Sequence, residues 1–315
     1  MSVWRAAAEL ARGGAGGALA TVARTAGSTP VPVGTKMLIG PAGRLEGTVG
    51  GGCVEADVIA AAIDAAAPRI LTHHLNADVA GDLGLSCGGT VDIVVEPLVA
   101  APGYVHALEQ VAAAAAGIVT TGLDWSVGPV KQFDPGAVEP GEPAASLSDD
   151  RRTLVERLAP APRLLVFGAG HVGSAIALAA AAAGFRVVVV DDRPEFADPV
   201  RFPPSVTVCA VPAHDALERF AINAADAVVI ATRGHRHDAL ILERVAGSAA
   251  SYVGLLGSRR KKAVVTKALA ASGVSSEALA RVRVPVGLAI GAVTPEEIAV
   301  SVVAELIAWR RAAMA

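Results

Sequence analysis

The sequence predicts an α/β protein of two domains, an N-terminal mixed α/β domain followed by a Rossmann-like, doubly wound parallel sheet. Three observations predict it. Residues 164–193 read LLVFGAGHVGSAIALAAAAAGFRVVVVDDR, an apolar run, a G-x-G-x-x-G turn, an alanine-rich helix pattern and a second apolar run closed by acids. Apolar runs and helical patterns go on alternating on both sides of that stretch. At 315 residues the chain is long enough for two domains of roughly 100–200 residues each.

The glycine turn is the most specific local signal. Gly168 makes the tight turn, Gly170 lets a phosphate approach the backbone, and Gly173 lets helix and strand pack closely. The helix start at His171 offers free N–H groups to a pyrophosphate. Asp191, closing the second strand, can take ribose hydroxyls. An acid there disfavours a 2′-phosphate, whereas the neighbouring Arg193 favours one. His171 inside the turn can contact a phosphate or replace it by bulk.

In the N-terminal part, Ala18–Arg24 and Lys36–Ile39 read as strands, and Pro41–Arg44 (PAGR) as a hairpin turn. Val54–Ala67 reads as a helix, and Val91–Val95 and Gly117–Thr121 as strands. The stretch 134–150, DPGAVEPGEPAASLSDD, has three prolines, two glycines, five acids and no base, so it reads as a linker. The expected domains are therefore 1–133 and 151–315. Beyond the glycine turn, Val206–Val211, Ala225–Ala231 and Ser251–Leu256 are strand candidates. Asp238–Ala246 and Lys261–Ala271 are helix candidates. The last helix opens with Thr294, Pro295 and Glu297 as a capping box, followed by an apolar stripe at Ile298, Val302, Leu306 and Ile307.

Composition excludes several classes. Hydrophobic residues are 53% and charged residues 18%, an ordinary globular balance. A net charge of −3 and a pI near 6.2 give neither a nucleic-acid nor a membrane footprint. The N-terminus has no signal-peptide core, and Val172–Ala183 is too short to cross a bilayer, which takes ~20 residues. Three cysteines make no disulfide framework, so a reduced, cytoplasmic setting is expected.

Five clusters could carry chemistry. GTVGGGCVE (47–55) sets Gly50, Gly51 and Gly52 before Cys53 at a helix start, where the dipole favours thiolate; the alternative is a tight turn with an inert thiol. Cys87 is flanked by Gly88 and Gly89, without the CxxC or histidine pair of a zinc site. Cys209 sits in a strand pattern and reads as core. RTAGSTP (24–30) could hold an oxyanion through Arg24 and Ser28, or be a plain loop. TRGHRHD (232–238) follows a strand, where doubly wound folds bind ligands; it offers His235, His237 and Asp238 as acid–base or metal groups and Arg233 as a cofactor-binding residue, the alternative being a polar loop whose histidines cap or hydrogen-bond. GSRRKK (257–262), with Gly257, Ser258, Arg259 and Arg260, crowds cations at a helix start, which suits an anion or a solvated surface.

Eight blocks in order carry a resemblance over most of the chain: ARTAGSTPVPVGTKML (23–38), GTVGGGCVEADV (47–58), LSCGGTVDIVVEP (85–97), VFGAGHVG (166–173), VDDRPEFA (190–197), TRGHRHD (232–238), YVGLLGSRRKK (252–262) and VPVGLAIGAVTPEEIAVSVVAELIA (284–308). The chain resembles the xanthine dehydrogenase accessory protein family, XdhC/CoxI. The resemblance implies a two-domain, dimerising protein that binds molybdenum cofactor. Such a protein works with a cysteine desulfurase and cofactor biosynthesis proteins, and delivers the cofactor to an apo molybdenum hydroxylase of the xanthine, aldehyde or CO dehydrogenase type. It assigns the molybdenum- or sulfur-handling role to Cys53 first and Cys87 second, with Glu55 in the same block and Cys53 as the candidate ligand of the metal. The cofactor is molybdopterin or its cytosine dinucleotide form, and the glycine turn could alternatively hold NAD(P). The runner-up readings are an NAD(P)-dependent oxidoreductase and a dinucleotide-sensing regulatory protein.

Overall fold

The computed structural model describes residues 3–63, 65–75, 88–138 and 142–312. The chain forms two compact units, Met1–Pro160 and Ala161–Ala315.

The first unit holds helices α1 (Val3–Gly13), α2 (Gly52–Ile63) and α3 (Pro102–Ala113). Its larger sheet contains β1 (Ala18–Ala26), β2 (Lys36–Gly40), β3 (Gly43–Gly47), β4 (Arg69–His74) and β5 (Thr90–Pro97), in the antiparallel order β3-β2-β1-β5-β4. β1 and β5 read as nearly continuous apolar runs because both of their faces are covered. Ala20, Val22 and Ile93 pack with Val54 and Val58 of α2. Leu19 and Leu38 point the other way, onto Ala7 and Ala11 of α1 and Leu108 of α3. Each fully buried Leu or Val contributes about 1.5–3 kcal/mol. Both helices are amphipathic, α1 burying Trp4, Ala7 and Ala11 and α3 burying Tyr104, Leu108 and Val111, a spacing the sequence reading above leaves out.

A second sheet in this unit contains β6 (Gly117–Gly122), β7 (Val130–Pro135), β8 (Ala145–Leu147) and β9 (Thr153–Leu158), ordered β7-β6-β9-β8. β9 pairs with β6 from Thr153↔Gly122 to Leu158↔Gly117. Ala145 and Leu154 pack on Ala23 and Val94 of the larger sheet. The stretch 134–150 expected as a linker thus contains a strand, and the chain divides after Pro160.

Two lysines and two glutamates are buried around Trp4 of α1. The Lys36 ammonium donates to Thr21 Oγ1 (2.9 Å), pairs with Glu156 and lies 4.6 Å from the Trp4 ring centre. The Lys131 ammonium pairs with Glu96 (3.0 Å), donates to Thr121 Oγ1 (2.6 Å) and lies 5.5 Å from the same ring. Burial pulls Lys36 below the ordinary lysine pKa, with Glu156 opposing.

The second unit is a six-stranded parallel sheet of β10 (Arg163–Phe167), β11 (Arg186–Asp191), β12 (Thr207–Ala210), β13 (Asp226–Ile230), β14 (Tyr252–Leu255) and β15 (Val282–Arg283), ordered β12-β11-β10-β13-β14-β15. The order reverses between β10 and β13, the switch point where doubly wound folds take ligands. Leu164 and Val166 face α4 (His171–Ala182) and α9 (Pro295–Ala312). Leu165 and Phe167 face α6 (His235–Ala246) and α7 (Arg259–Ala271). The short helices α5 (Ala213–Arg219) and α8 (Ser276–Ala280) complete the unit. The capping box of α9 is formed: Glu297 N–H donates to Thr294 Oγ1 at 3.2 Å, and Thr294 N–H to Glu297 Oε2 at 3.1 Å. Among the described residues no helix is long and apolar enough to cross a membrane.

Candidate functional site

In the first unit three sequence-distant blocks meet beside β1. Gly50, Gly51 and Gly52 all have positive φ (133°, 76° and 57°), a backbone that L side chains rarely adopt, and they lead directly into α2. A Cβ on Gly50 would lie 3.5 Å from Pro30, so the glycine loop rests on the 24–31 segment. On the same segment, a Cβ on Gly27 would lie 3.2 Å from the Gly88 carbonyl oxygen, and one on Gly89 2.7 Å from that of Ala26. RTAGSTP and the Gly88–Gly89 pair therefore touch backbone to backbone, a contact that only glycine permits.

Glu55 braces the loop. Its Oε1 accepts from Thr48 Oγ1 and from the N–H groups of Val49 (3.3 Å) and Gly51 (3.2 Å), while Arg44 lies 3.5 Å from Oε2. Burial works against its charge, but these hydrogen bonds outweigh it and hold the carboxyl below its ordinary pKa. Glu55 thus holds the loop's shape. Cys53 is exposed on the first turn of α2, and among the described residues none comes within 4 Å of a Cβ built on Gly51 or Gly52. Cys87 lies outside the described residues.

Arg24 and Ser28 are exposed. Arg24 Nε pairs with buried Asp92 (2.9 Å), which also receives Arg151 (3.3 Å) and Thr72 (2.5 Å). Burial would raise the Asp92 pKa, but Thr72 and the two arginines hold it down. Sequence reasoning missed Asp92; the signal was a lone acid inside the apolar run TVDIVV.

In the second unit the three glycines of the turn differ in their surroundings. Gly168 has φ +107°, and a Cβ there would lie 2.7 Å from the Ala231 carbonyl carbon. A Cβ on Gly173 would lie 2.9 Å from the Gly168 carbonyl carbon and closer still to its oxygen. At Gly170 it would meet none of the described residues within 4 Å, at the place where a phosphate would approach. Gly170 N-caps α4 without a side-chain cap, and His171 is exposed at its first position.

Asp191 is spent inside the protein. Its Oδ2 accepts from Ala169 N–H (2.8 Å) and Arg193 Nη2 (2.9 Å); its Oδ1 accepts from Arg193 N–H (3.1 Å) and Nε (2.9 Å). Arg193 in turn stacks on Phe196 at 3.7 Å. Beside the turn lies a cavity of about 710 Å³, walled by Val211, Leu217 and Ile241 and rimmed by Asp192, Arg233 and His237. His214, which also lines it, does not stand out in the sequence, whereas Asp192 stands there as the second of the two acids that close the run.

TRGHRHD and GSRRKK are joined through buried Asp238, which accepts from Thr232 Oγ1 (2.6 Å) and pairs with Lys261 (2.6 Å). Ser258 caps α7 by accepting from Lys261 N–H (3.2 Å). One cation of the run is therefore internal. Gly257, Ser258 and Arg260 are not among the residues lining the cavity. The side chains of His235 and Arg259 lie outside the described residues. Among the described residues no group of three His, Cys, Asp or Glu is placed to hold a metal ion. Cys209 is buried in the core, which pushes its thiol pKa up.

Comparison with known proteins follows the same division. The XdhC Rossmann domain matches residues 164–306, and the XdhC and CoxI family matches residues 10–74. The chain is 30% identical over 98% of its length to the uncharacterized protein YqeB of Escherichia coli (strain K12), but spans only 46% of that protein. It is 30% identical to a protein of Bacillus subtilis (strain 168) named as a probable xanthine dehydrogenase subunit, covering 93% of both chains. It is 24% identical to the molybdenum cofactor insertion chaperone PaoD of Escherichia coli (strain K12), over 98% of this chain and 88% of that one. A crystal structure described as a xanthine dehydrogenase from Bacillus halodurans superposes with a TM-score of 0.74 at 25% identity, covering 99% of this chain and 96% of the other. With one relative 30% identical along nearly its whole length and both halves matched in order, the chain belongs to the XdhC and CoxI family.

Proposed function

We propose that this chain holds molybdenum cofactor and hands it to an apo molybdenum hydroxylase during that enzyme's maturation, acting as a chaperone without turnover. The observation that carries the reading is Cys53: an exposed thiol directly after three positive-φ glycines, on a loop braced by Glu55. The donor chemistry fits, because a soft thiolate suits a molybdenum–sulfur centre. The cofactor itself supplies the oxo-transfer and redox chemistry of the enzyme that receives it. On this side the protein's own residues bind and orient: Cys53 offers sulfur, Gly51 and Gly52 leave room beside it, and Arg24 and Ser28 are exposed nearby for a phosphate. Similarity to PaoD, named as an insertion chaperone, supports the role.

In the second unit, the Gly168–Gly173 turn and the cavity beside it would take a nucleotide. Either the cytosine dinucleotide extension of the cofactor or a separate NAD is the candidate. A homodimer working in the cytoplasm with a cysteine desulfurase and the cofactor's biosynthetic proteins completes the proposal.

The test is molybdenum and pterin content after mixing the purified full chain with mature cofactor and removing the excess. Wild type should retain cofactor at one equivalent per chain or near it, Cys53→Ala should lose it, and Cys209→Ala should not. Retention by neither wild type nor variants overturns the reading. A dinucleotide-sensing role, favoured by the size of the cavity, would then be selected by NAD binding without molybdenum.

A further inference from the structure

We infer that the acid that reads the ligand's ribose in the second unit is Asp192, partnered by Arg233, and that the ligand is a nucleoside diphosphate whose ribose carries a free 2′-hydroxyl. This rests on the nucleotide reading of the cavity. It goes beyond that reading by naming the recognising pair and the class of nucleotide.

The expected ribose acid of the fold is the one that closes the second strand of the glycine unit, here Asp191. A carboxylate offers about four lone-pair sites. All four on Asp191 are occupied, by Ala169 N–H and by three N–H groups of Arg193. A ribose hydroxyl could reach that carboxylate only by evicting Arg193, whose guanidinium is held by two of those bonds and by the Phe196 ring beneath it. Asp191 is better described as the peg that fixes the glycine turn through Ala169. The same bonds withdraw Arg193 from any 2′-phosphate.

The next residue has what Asp191 lacks. Asp192 lines the cavity and is 42% exposed, and among the described contacts its carboxylate accepts one hydrogen bond, from Arg233 Nη2 at 3.0 Å. Its remaining lone pairs can accept the two hydroxyls of a ribose. A 2′-phosphate in that place would set like charges together, which disfavours it. Arg233 lines the same cavity and follows Ala231 and Thr232, which pack on Gly168. When ribose hydroxyls compete for Asp192, the guanidinium is released beside the glycine turn, within reach of a diphosphate. The apolar wall of Val211, Leu217 and Ile241 offers a slot for a flat base.

The experiment is calorimetry on the full chain with NAD, NADP, CDP and adenosine. NAD or CDP should bind, and NADP should bind at least tenfold more weakly than NAD. Asp192→Asn should cut affinity for the bound nucleotide by about 10- to 100-fold, as expected for lost hydrogen bonds to a charged group. It should narrow the preference for NAD over NADP and leave the melting temperature of the free protein unchanged. Arg233→Met should weaken the diphosphates more than adenosine. NADP binding as tightly as NAD, or Asp192→Asn binding like wild type, overturns the assignment of Asp192 while the nucleotide reading stands. If wild type binds none of NAD, NADP and CDP, the nucleotide reading itself fails and takes this assignment with it.

Discussion

Gly173 and Gly170 stand three residues apart in one turn, and alanine at each should do opposite things. At Gly173 the new methyl would come 2.9 Å from the Gly168 carbonyl carbon and closer to its oxygen, against ordinary contact at 3.4 Å or more. The obstacle is backbone, so it cannot rotate away; α4 must shift off β10, and Ala231 lies behind it at 3.7 Å. Overpacking of this kind costs about 1–3 kcal/mol, at the upper end where backbone must move. The better helix propensity of alanine returns up to about 1 kcal/mol. A net loss of about 2 kcal/mol lowers the melting temperature of a unit this size by roughly 4–8 °C. At Gly170, φ is −64° and none of the described residues lies within 4 Å of a Cβ, so alanine should cost about 1 kcal/mol or less while standing where a phosphate would approach. Circular dichroism melts paired with nucleotide calorimetry separate the two effects. If Gly173→Ala melts within 1 °C of wild type, or Gly170→Ala proves the less stable, the division of labour argued for the turn is wrong.

Two further outcomes follow from buried charges in the second unit. Lys261→Met leaves Asp238 buried beside Thr232 with no cation, which should cost about 3–5 kcal/mol; Arg260→Met, on the exposed side of the same run, should stay within about 0.5 kcal/mol by urea titration. Equal losses for both would make the run a single solvated surface. For Asp191, burial raises the pKa, but Arg193 and Ala169 outweigh it and the folded value lies below the ordinary one. Its contribution is therefore complete above the unfolded value of about 4 and is lost as pH falls below that through the folded value. Stability measured between pH 5 and 3 should fall for wild type and less steeply for Asp191→Asn; parallel falls would refute the assignment.

What the sequence made legible follows from how local each signal is. The Gly168–Gly173 turn, the Thr294–Glu297 box and the Pro41–Arg44 hairpin are decided within a few residues, and the fold forms all three. The end of the first unit was not legible, because 134–150 is polar and proline-rich locally, yet β8 is held by pairing with β9 further on. The site was half visible. Glycine and cysteine blocks announced themselves, but no spacing could say that Pro30 lies under Gly50, or that Ala26 lies against Gly89. Nor could it separate Asp191 from Asp192: adjacent acids look alike until one is seen to be filled by Arg193. The charge run at 257–262 misled in the same way, since Lys261's partner is more than twenty residues earlier.

The buried charges around Trp4 bear on how this protein can be cut. Lys36 and Glu96 come from the first hundred residues, whereas their partners Glu156 and Lys131 come from the last forty of the unit. A fragment ending at 133, the boundary the sequence invites, would keep Lys131 but strip Lys36 of its counter-ion in a site that admits little water. An expression fragment of the unit that carries Cys53 should therefore run through Pro160, and a tag or fusion junction placed at 134–150 would fall between Lys36 and Glu156, the two members of an ion pair.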